Sequence, residues 1–396
     1  MGKNQTLDAE LDELLSEDVA QVIQREKTAF DRLVKPFGKS LVLFGAGNLG
    51  REALARLRQD GTEPLAFTDN NPSLWGKSVN GVRVLSPDKA AEQFGQRAAF
   101  VVTIFNPENQ HRFVDTKGKL KRLNCQRVVS FMPLLWKYGD IFLPYSYIDF
   151  PHKISENAEA LRAVFALWAD EESRRTYLTQ LRWRMLSDYD GLPGRTIQTT
   201  YFPEGVFSLR ANEVFVDCGA YDGDTIKIFL EKSGGYFDHV VAFEPDPINF
   251  QNLEMYVQGL PAGIREKIIL LKKAVGKDAA KLRFDISGTP SSYISMDGSV
   301  EVESVPLDSV LSDFVSTYIK MDIEGAELDA LIGARCIIER ECPVLAVCVY
   351  HQQDHLWRIP SLIRSLSSRY RFFLRAHNEE GWELVCYAVP VNRLIA

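Results

Sequence analysis

The chain has 396 residues, 45% of them hydrophobic and 25% charged, which is too much for one ordinary core and excludes a disordered or collagen-like protein. A net charge of −7 excludes a broad cationic surface for non-specific nucleic-acid binding. Clean apolar runs such as Val344–Val349 fall far short of the ~20 residues needed to span a bilayer. The six cysteines (Cys125, Cys218, Cys336, Cys342, Cys348 and Cys386) show no C-x-x-C spacing and lie mostly in apolar stretches. Reduced, buried thiols are expected, without disulfides or zinc. The amino terminus is acidic and amphipathic, with no basic-then-apolar signal, so a cytoplasmic protein is expected. Met1–Thr6 also fits the loose myristoylation pattern, which so short a stretch often matches by chance.

Taken along the chain, apolar residues from Leu7 to Ile23 recur at helical spacing and predict one leading helix over 1–35. A strand at Leu41–Phe44 follows, then a glycine turn and a helix to about Gln59. Strands at Leu65–Thr68, Ala99–Thr103 and Val128–Val129 alternate with helical stretches near 87–94 and 107–122. This alternation predicts parallel β-α units, here a Rossmann-like domain over 36–145. A helical connector over 146–200 is broken near Asp170-Glu171-Glu172-Ser173, where an aspartate suits an N-cap, and ends at Gly191-Leu192-Pro193-Gly194.

A second α/β unit spans 201–396. Strands are predicted at Val214–Asp217, Val240–Glu244, Ile268–Leu271, Tyr318–Asp322 and Val344–Tyr350, with helices near 224–232, 247–258, 326–334 and 357–367. Lys281–Ile286 and Ser299–Val305 read as a β insertion, and Arg371–His377 with Trp382–Val389 as a closing antiparallel hairpin. The fold class is therefore α/β, two Rossmann-like units in tandem. The second is a mostly parallel sheet with an antiparallel finish.

Ligands of doubly wound sheets bind beyond the carboxyl ends of the strands, where strand order reverses. The first strand of the second unit ends in Asp217-Cys218-Gly219-Ala220-Tyr221-Asp222-Gly223-Asp224, an acid followed by glycines that let a ligand approach the backbone. Twenty-seven residues after Asp217, the second strand ends in Glu244, followed by Pro245-Asp246-Pro247; a carboxylate there is placed to accept both hydroxyls of a ribose. The strand over Tyr318–Asp322 ends in Asp322, then Ile323-Glu324-Gly325-Ala326-Glu327.

In this order, FVDCGAYDGDT, VVAFEPDPINFQNL and YIKMDIEGAELDALIGA resemble the FkbM family of S-adenosylmethionine-dependent methyltransferases, over about 200–390. The resemblance implies S-adenosyl-L-methionine as cofactor. It would lie along Asp217, Gly219, Ala220, Tyr221, Gly223 and Asp224, with Asp217 orienting the loop and reaching the methionine ammonium. Glu244 would hold the ribose, beside Pro245 and Asp246; Ser292 would edge the pocket; and Lys320–Gly325, with Asp322 and Glu324, would sit beside the sulfonium and the acceptor. It also implies O-methylation of a sugar, glycan precursor or secondary metabolite. Candidates for the catalytic base are Asp322, Glu324 and His351, with Glu327 read as a helix cap. Two positions depart from the family pattern: Tyr350-His351 stands where an acid commonly ends the strand, and the usual asparagine is missing around Tyr256-Val257. His351 and His355 are spaced for a metal on a helix, yet the segment reads as a loop with no third ligand, so no metal is expected.

In the first unit, Gly45-x-Gly47-x-x-Gly50 between strand and helix, with Asp69 ending the next strand, satisfies the dinucleotide fingerprint. With Gly76–Leu85 it resembles domains that accompany sugar-modifying enzymes and bind nucleotide-sugars. The other reading is a fold kept for docking, its glycines serving helix–strand packing. Two rival functions remain at this stage: an NAD(P)-dependent oxidoreductase using that glycine loop, and a non-catalytic nucleotide-binding scaffold.

Overall fold

The computed structural model describes residues 6–105, 111–194, 200–285, 293–294 and 300–395. They form two compact units, Met1–Ala158 with Leu178–Pro193, and Glu159–Tyr177 with Gly194–Ala396. Among the described residues no helix is long and apolar enough to cross a membrane.

The first unit opens with two helices where periodicity predicts one, α1 (Leu7–Leu14) and α2 (Val19–Leu33). The apolar rhythm continues through the break, but Asp18 accepts from the Ala20 N–H and starts a new helix. An aspartate stabilises a helix start and weakens a helix interior. There follow β1 (Leu41–Phe44), α3 (Asn48–Gln59), β2 (Ala66–Thr68), β3 (Ser78–Val79), β4 (Val82–Leu85), α4 (Pro87–Phe94), β5 (Ala99–Val102), α5 (Phe113–Arg122) and β6 (Arg127–Ser130). The sheet order is β3-β4-β2-β1-β5-β6, parallel except for β3. All four residues of β1 and of β5 are buried, as expected of central strands covered on both faces. The chain builds outward from β1 through β2 to β4, then crosses to β5 on the other side of β1. The switch point therefore lies between β1 and β5. Short helices α6 (Met132–Lys137), α7 (Gly139–Phe142) and α8 (Pro151–Glu156) follow.

Helices α9 (Ala158–Phe165) and α10 (Glu171–Leu186) come next, with Asp170 accepting from the Ser173 N–H at the predicted break. The second unit then runs β7 (Val214–Cys218), α11 (Asp224–Ser233), β8 (His239–Phe243), α12 (Pro247–Gln258), α13 (Ala262–Arg265), β9 (Ile268–Leu271) and β10 (Ala274–Val275). Next are β11 (Ala280–Asp285), β12 (Tyr293–Ile294), β13 (Val300–Val305), α14 (Leu307–Val310), β14 (Tyr318–Met321), α15 (Glu327–Gly333), α16 (Arg335–Glu341) and β15 (Val344–Cys348). The unit closes with α17 (His355–Leu366), β16 (Tyr370–Ala376) and β17 (Leu384–Pro390). The main sheet has the order β16-β17-β15-β14-β7-β8-β9. Strands β7, β8, β9, β14 and β15 are parallel, and β17 runs antiparallel between β15 and β16. The predicted insertion is a separate four-stranded sheet, β10-β13-β11-β12. The switch point of the main sheet falls between β7 and β14, which brings the end of β7 beside Asp322.

Candidate functional site

The carboxyl edge of β7, β14 and β15 collects nearly all the ionisable candidates. Gly219 has φ +84°, and a Cβ there would collide with the carbonyl oxygen of Asp322. This glycine is thus required by the close approach of two strand-end loops, as well as by its left-handed backbone. Gly223, φ +95°, caps α11, and a Cβ would lie 2.5 Å from the Tyr256 ring. Between them Tyr221 is also left-handed, φ +48°. Asp224, the first residue of α11, accepts from the Thr225 N–H at 2.6 Å.

Asp217 and Lys320 are register partners on β7 and β14. Both side chains are buried and pair at 3.1 Å, and the Lys320 Nζ also donates to the Gly219 carbonyl at 2.6 Å. Burial pushes Asp217 up to about 6, although Lys320 opposes it. For Lys320 burial works against the charge, yet Asp217, Asp322 and Asp224 together hold the ammonium well above its ordinary range. One lysine shared among three carboxylates leaves the crevice acid-rich. Asp217 faces inward, so its contacts support the loop-orienting half of its expected role.

Glu244 ends β8 with both oxygens engaged: Oε2 accepts from the Tyr221 N–H and Oε1 from the Asp246 N–H, each at 2.9 Å. It therefore ties the glycine loop to the start of α12, where Asp246 caps Ile248 and Asn249 and Pro247 follows it. Burial raises Glu244 to about 7 against those two N–H donors. Pro245 lies between the two acids. Ser292 falls outside the described residues, so the structure says nothing of its place.

Asp322 is likewise held at both oxygens. The Tyr201 hydroxyl donates to Oδ2 at 2.7 Å, and the His351 Nε2 lies 3.2 Å from Oδ1. Burial opposes its charge, but His351, Lys320 and Tyr201 hold it well below the usual carboxylate range. The other ring nitrogen of His351, Nδ1, meets Glu327 Oε1 at 2.7 Å, and Glu327 is fully buried. Burial disfavours the imidazolium, yet Glu327, Asp322 and Glu324 raise His351 well above its ordinary value. Glu327 thus does more than cap a helix: it also accepts from the Ile323 and Gly325 N–H groups and orients His351. His355 Nδ1 lies 3.4 Å from the other Glu327 oxygen, so the histidine pair converges on a carboxylate. Glu324 adopts φ +54°, lies 3.7 Å from His351 Nε2, and is raised by burial to about 7.

Sequence reasoning missed two contributors, Tyr201 and Glu383, and placed Lys320 only through the family resemblance, as part of the Lys320–Gly325 segment beside the sulfonium and the acceptor. Lys320 was detectable as the one charge inside an apolar strand, but its pairing requires the β7–β14 register. Tyr201 carries no motif; it sits at φ +65°, fixed through its N–H by the Tyr387 hydroxyl and through its carbonyl by the Tyr318 hydroxyl. Its ring lies 5.0 Å from the Lys320 ammonium. Glu383, just before β17, is placed at this edge only by the antiparallel return of that strand.

The opposite edge of the sheet holds a cavity of about 430 Å³ lined by Thr317, Pro343, Arg369 and Arg393 among others. There Arg393 is paired with buried Glu213, a structural ion pair remote from the strand-end acids.

In the first unit Gly45, φ +114°, sits at the switch point, and a Cβ would meet the Thr103 carbonyl at 2.8 Å. A Cβ on Gly50 would strike the Gly45 carbonyl, while one on Gly47 would meet nothing within 4 Å. Asp69 Oδ2 accepts from the Ala46 N–H at 2.9 Å and Oδ1 from the Asn71 N–H at 2.8 Å. Arg51 reaches back to Asn48 and to the Ala46 carbonyl, and Lys119 to Asn70.

Comparison with known proteins bears on the fold and the family of the second unit. Residues 217–379 match the family model of the methyltransferase FkbM domain. The fold is similar to that of methyltransferase FkbM from Methylobacillus flagellatus KT, at TM-score 0.74 and 23% identity over 97% of this chain and 100% of that one. Weaker likenesses include Aeropyrum pernix fibrillarin with bound S-adenosyl-L-methionine, at TM-score 0.29 and 11% identity over 49% of this chain and 75% of that one. Another is the methyltransferase-like SMU.1697c of Streptococcus mutans with SAH, at TM-score 0.28 and 12% identity over 46% and 90%. No curated protein sequence matches the chain. Residues 217–379 match the methyltransferase FkbM domain, and the chain that carries them is a methyltransferase.

Proposed function

We propose that the second unit binds S-adenosyl-L-methionine at the β7–β14 switch point and methylates a hydroxyl of a sugar, glycan precursor or secondary metabolite. The observation that carries this reading is the acid-rich edge itself, where Glu244 closes the glycine loop and Asp322 faces it across the crevice. That edge fits a cationic nucleoside: Glu244 stands where ribose hydroxyls would be accepted, and excess carboxylate complements positive charge. The cofactor, when bound, supplies an electrophilic methyl on a sulfonium.

The residues divide the work as their contacts dictate. Lys320 and Asp217 fix the Gly219 loop from beneath. Asp322, locked by Tyr201 and His351, is a permanently ionised orienting group and a poor proton acceptor. A carboxylate pressed against sulfur would favour the ground state over the transition state, in which the positive charge disappears. Alignment by this rigid frame is therefore its main contribution, and effective molarity makes several kcal/mol available. The acceptor's proton requires a different, raised carboxyl. In calorimetry Glu244→Ala should weaken S-adenosylmethionine binding by roughly 1.5–3 kcal/mol, the worth of a charge-assisted contact. Unchanged affinity would remove the ribose assignment.

For the first unit, the open face above Gly47 and the cations Arg51 and Lys119 favour an anionic ligand such as a nucleotide-sugar, at Gly45, Gly47, Gly50 and Asp69. A helix amino terminus suits phosphate.

A further inference from the structure

Glu383 belongs to neither the family motifs nor the candidates drawn from sequence. It directly precedes β17, whose antiparallel course brings its beginning to the carboxyl end of β15: the Val349 N–H donates to the Leu384 carbonyl at 2.9 Å. The residue is left-handed, φ +51°, a conformation that costs free energy for a residue with a Cβ and that tends to persist at functional positions. Its backbone is pinned by the His377 N–H at 3.0 Å, and its carboxyl has one hydrogen bond among the described residues, from the Tyr350 hydroxyl at 3.5 Å. The Tyr350 hydroxyl reaches that carboxyl, and the charges of Asp322, His351, Lys320 and Asp224 act on it. These are the groups that bound the crevice.

We propose that Glu383, held on the β17 return beside the end of β15, is the catalytic proton acceptor. This rests on the cofactor reading above. The alternatives at the same edge are less suited by position. Asp322 has both oxygens occupied. Glu324 faces the His351 imidazolium at 3.7 Å, a cation already present without ligand. Among the described residues the Glu383 carboxyl has a single long hydrogen bond, and it lies on the closing hairpin.

The step balances. The acceptor's O–H bond breaks as its proton passes to the Glu383 carboxylate. The new O–C bond forms while the C–S bond breaks, and that electron pair remains on sulfur as a neutral thioether. With the positive charge gone, Glu383 keeps the proton until the next cationic cofactor displaces it to solvent. Burial, with Asp322 adding to it, raises Glu383 to about 8, which matches a base that exchanges its proton near neutral pH.

The test needs no acceptor. S-adenosylmethionine and S-adenosylhomocysteine are titrated into the full chain by calorimetry at pH 7.5, in phosphate and in Tris, whose different ionisation heats report protons exchanged. The wild type should release roughly half a proton or more with S-adenosylmethionine and far less with the thioether. Glu383→Gln should abolish the difference, and Glu324→Gln should keep it. Release unchanged in Glu383→Gln, or lost only in Glu324→Gln, overturns the assignment. Carbon-13 titration of the wild-type glutamate carboxyls provides a check without a variant. One raised midpoint should drop on binding S-adenosylmethionine and stay put with the thioether; no such drop overturns the proposal. If neither compound binds the wild type, the cofactor reading fails, and this step fails with it.

Discussion

The two crevices are built on the same hydrogen-bond plan and differ in charge. In each, a glycine after the first strand lets its loop press against the end of the main sheet's fourth parallel strand, Gly45 against Thr103 and Gly219 against Asp322. In each, an acid ending the second strand accepts from a loop N–H 23 residues earlier and from the N–H two residues later, Asp69 from Ala46 and Asn71, Glu244 from Tyr221 and Asp246. A proline follows both turns, Pro72 and Pro247. What differs lies in the strands beneath. Where the second unit pairs Asp217 with Lys320 across β7 and β14, the first sets Leu43 beside Val101 across β1 and β5. The loop plan is therefore common to both units, and the buried pair beneath sets the charge of the edge it builds. A glycine fingerprint alone identifies only the first of these properties.

That comparison can be broken most forcefully at Lys320. Lys320→Met strands the fully buried Asp217 carboxylate, and loss of one member of a buried pair costs about 3–5 kcal/mol. Urea unfolding should show that loss. The double change Asp217→Leu with Lys320→Val copies the first unit's pair and should recover most of the stability, since replacing both ions by apolar groups is often neutral. It should not recover S-adenosylmethionine binding, because the Gly219 carbonyl loses its lysine donor and the edge loses its buried charge pair. A double variant that binds normally would show the ion pair to be structural only.

This contrast also marks what the sequence could reveal. Strand-ending acids stand out because Val-rich runs stop at them, and helix starts such as Asp246-Pro247 and Ser86-Pro87 follow from capping chemistry. The helix predicted near 326–334 corresponds to α15, and α16 has no predicted counterpart, since Ala334 begins it without a side-chain cap. The repeated acid turn was missed because only backbone N–H donors are shared, and backbone leaves no residue signature. Tyr201 and Glu383 reach the site through a loop and a returning strand, so their proximity is set by tertiary register, which local pattern does not encode.

A smaller effect separates the units by pH. Asp217 at about 6, and Glu244 and Glu324 at about 7, all lie above the unfolded range of about 4 for carboxyls. Between those limits the folded site binds more protons than the unfolded chain, so stability from these groups is greatest near pH 4 and declines as pH rises to about 7. His351, also raised, contributes in the same direction: its stabilisation is present below its ordinary value and lost as pH climbs through the folded one. Asp322 works oppositely, and only below its usual range. The melting temperature of the empty protein should therefore fall from pH 5 to 7.5. S-adenosylmethionine should offset that fall by neutralising the surplus carboxylate. A flat profile without ligand would show that the acids are solvated and the crevice is not acid-rich in solution.

The smallest structural effect is expected at Gly47, and that makes it the sharpest probe of the first unit. Its φ of −74° suits any residue, and a Cβ would meet nothing within 4 Å. Gly47→Ala should thus change stability by no more than about 0.5 kcal/mol, the range of substitutions that disturb no packing. Gly45 and Gly50 are explained by close approach of backbone; Gly47 is not. If a nucleotide-sugar such as UDP-glucose binds the wild type and Gly47→Ala weakens it tenfold or more, the missing side chain is kept for a ligand lying against that loop. If binding is absent, or equal in both proteins, the glycine loop of the first unit serves helix–strand packing, and its likeness to the second ends with the shared acid turn.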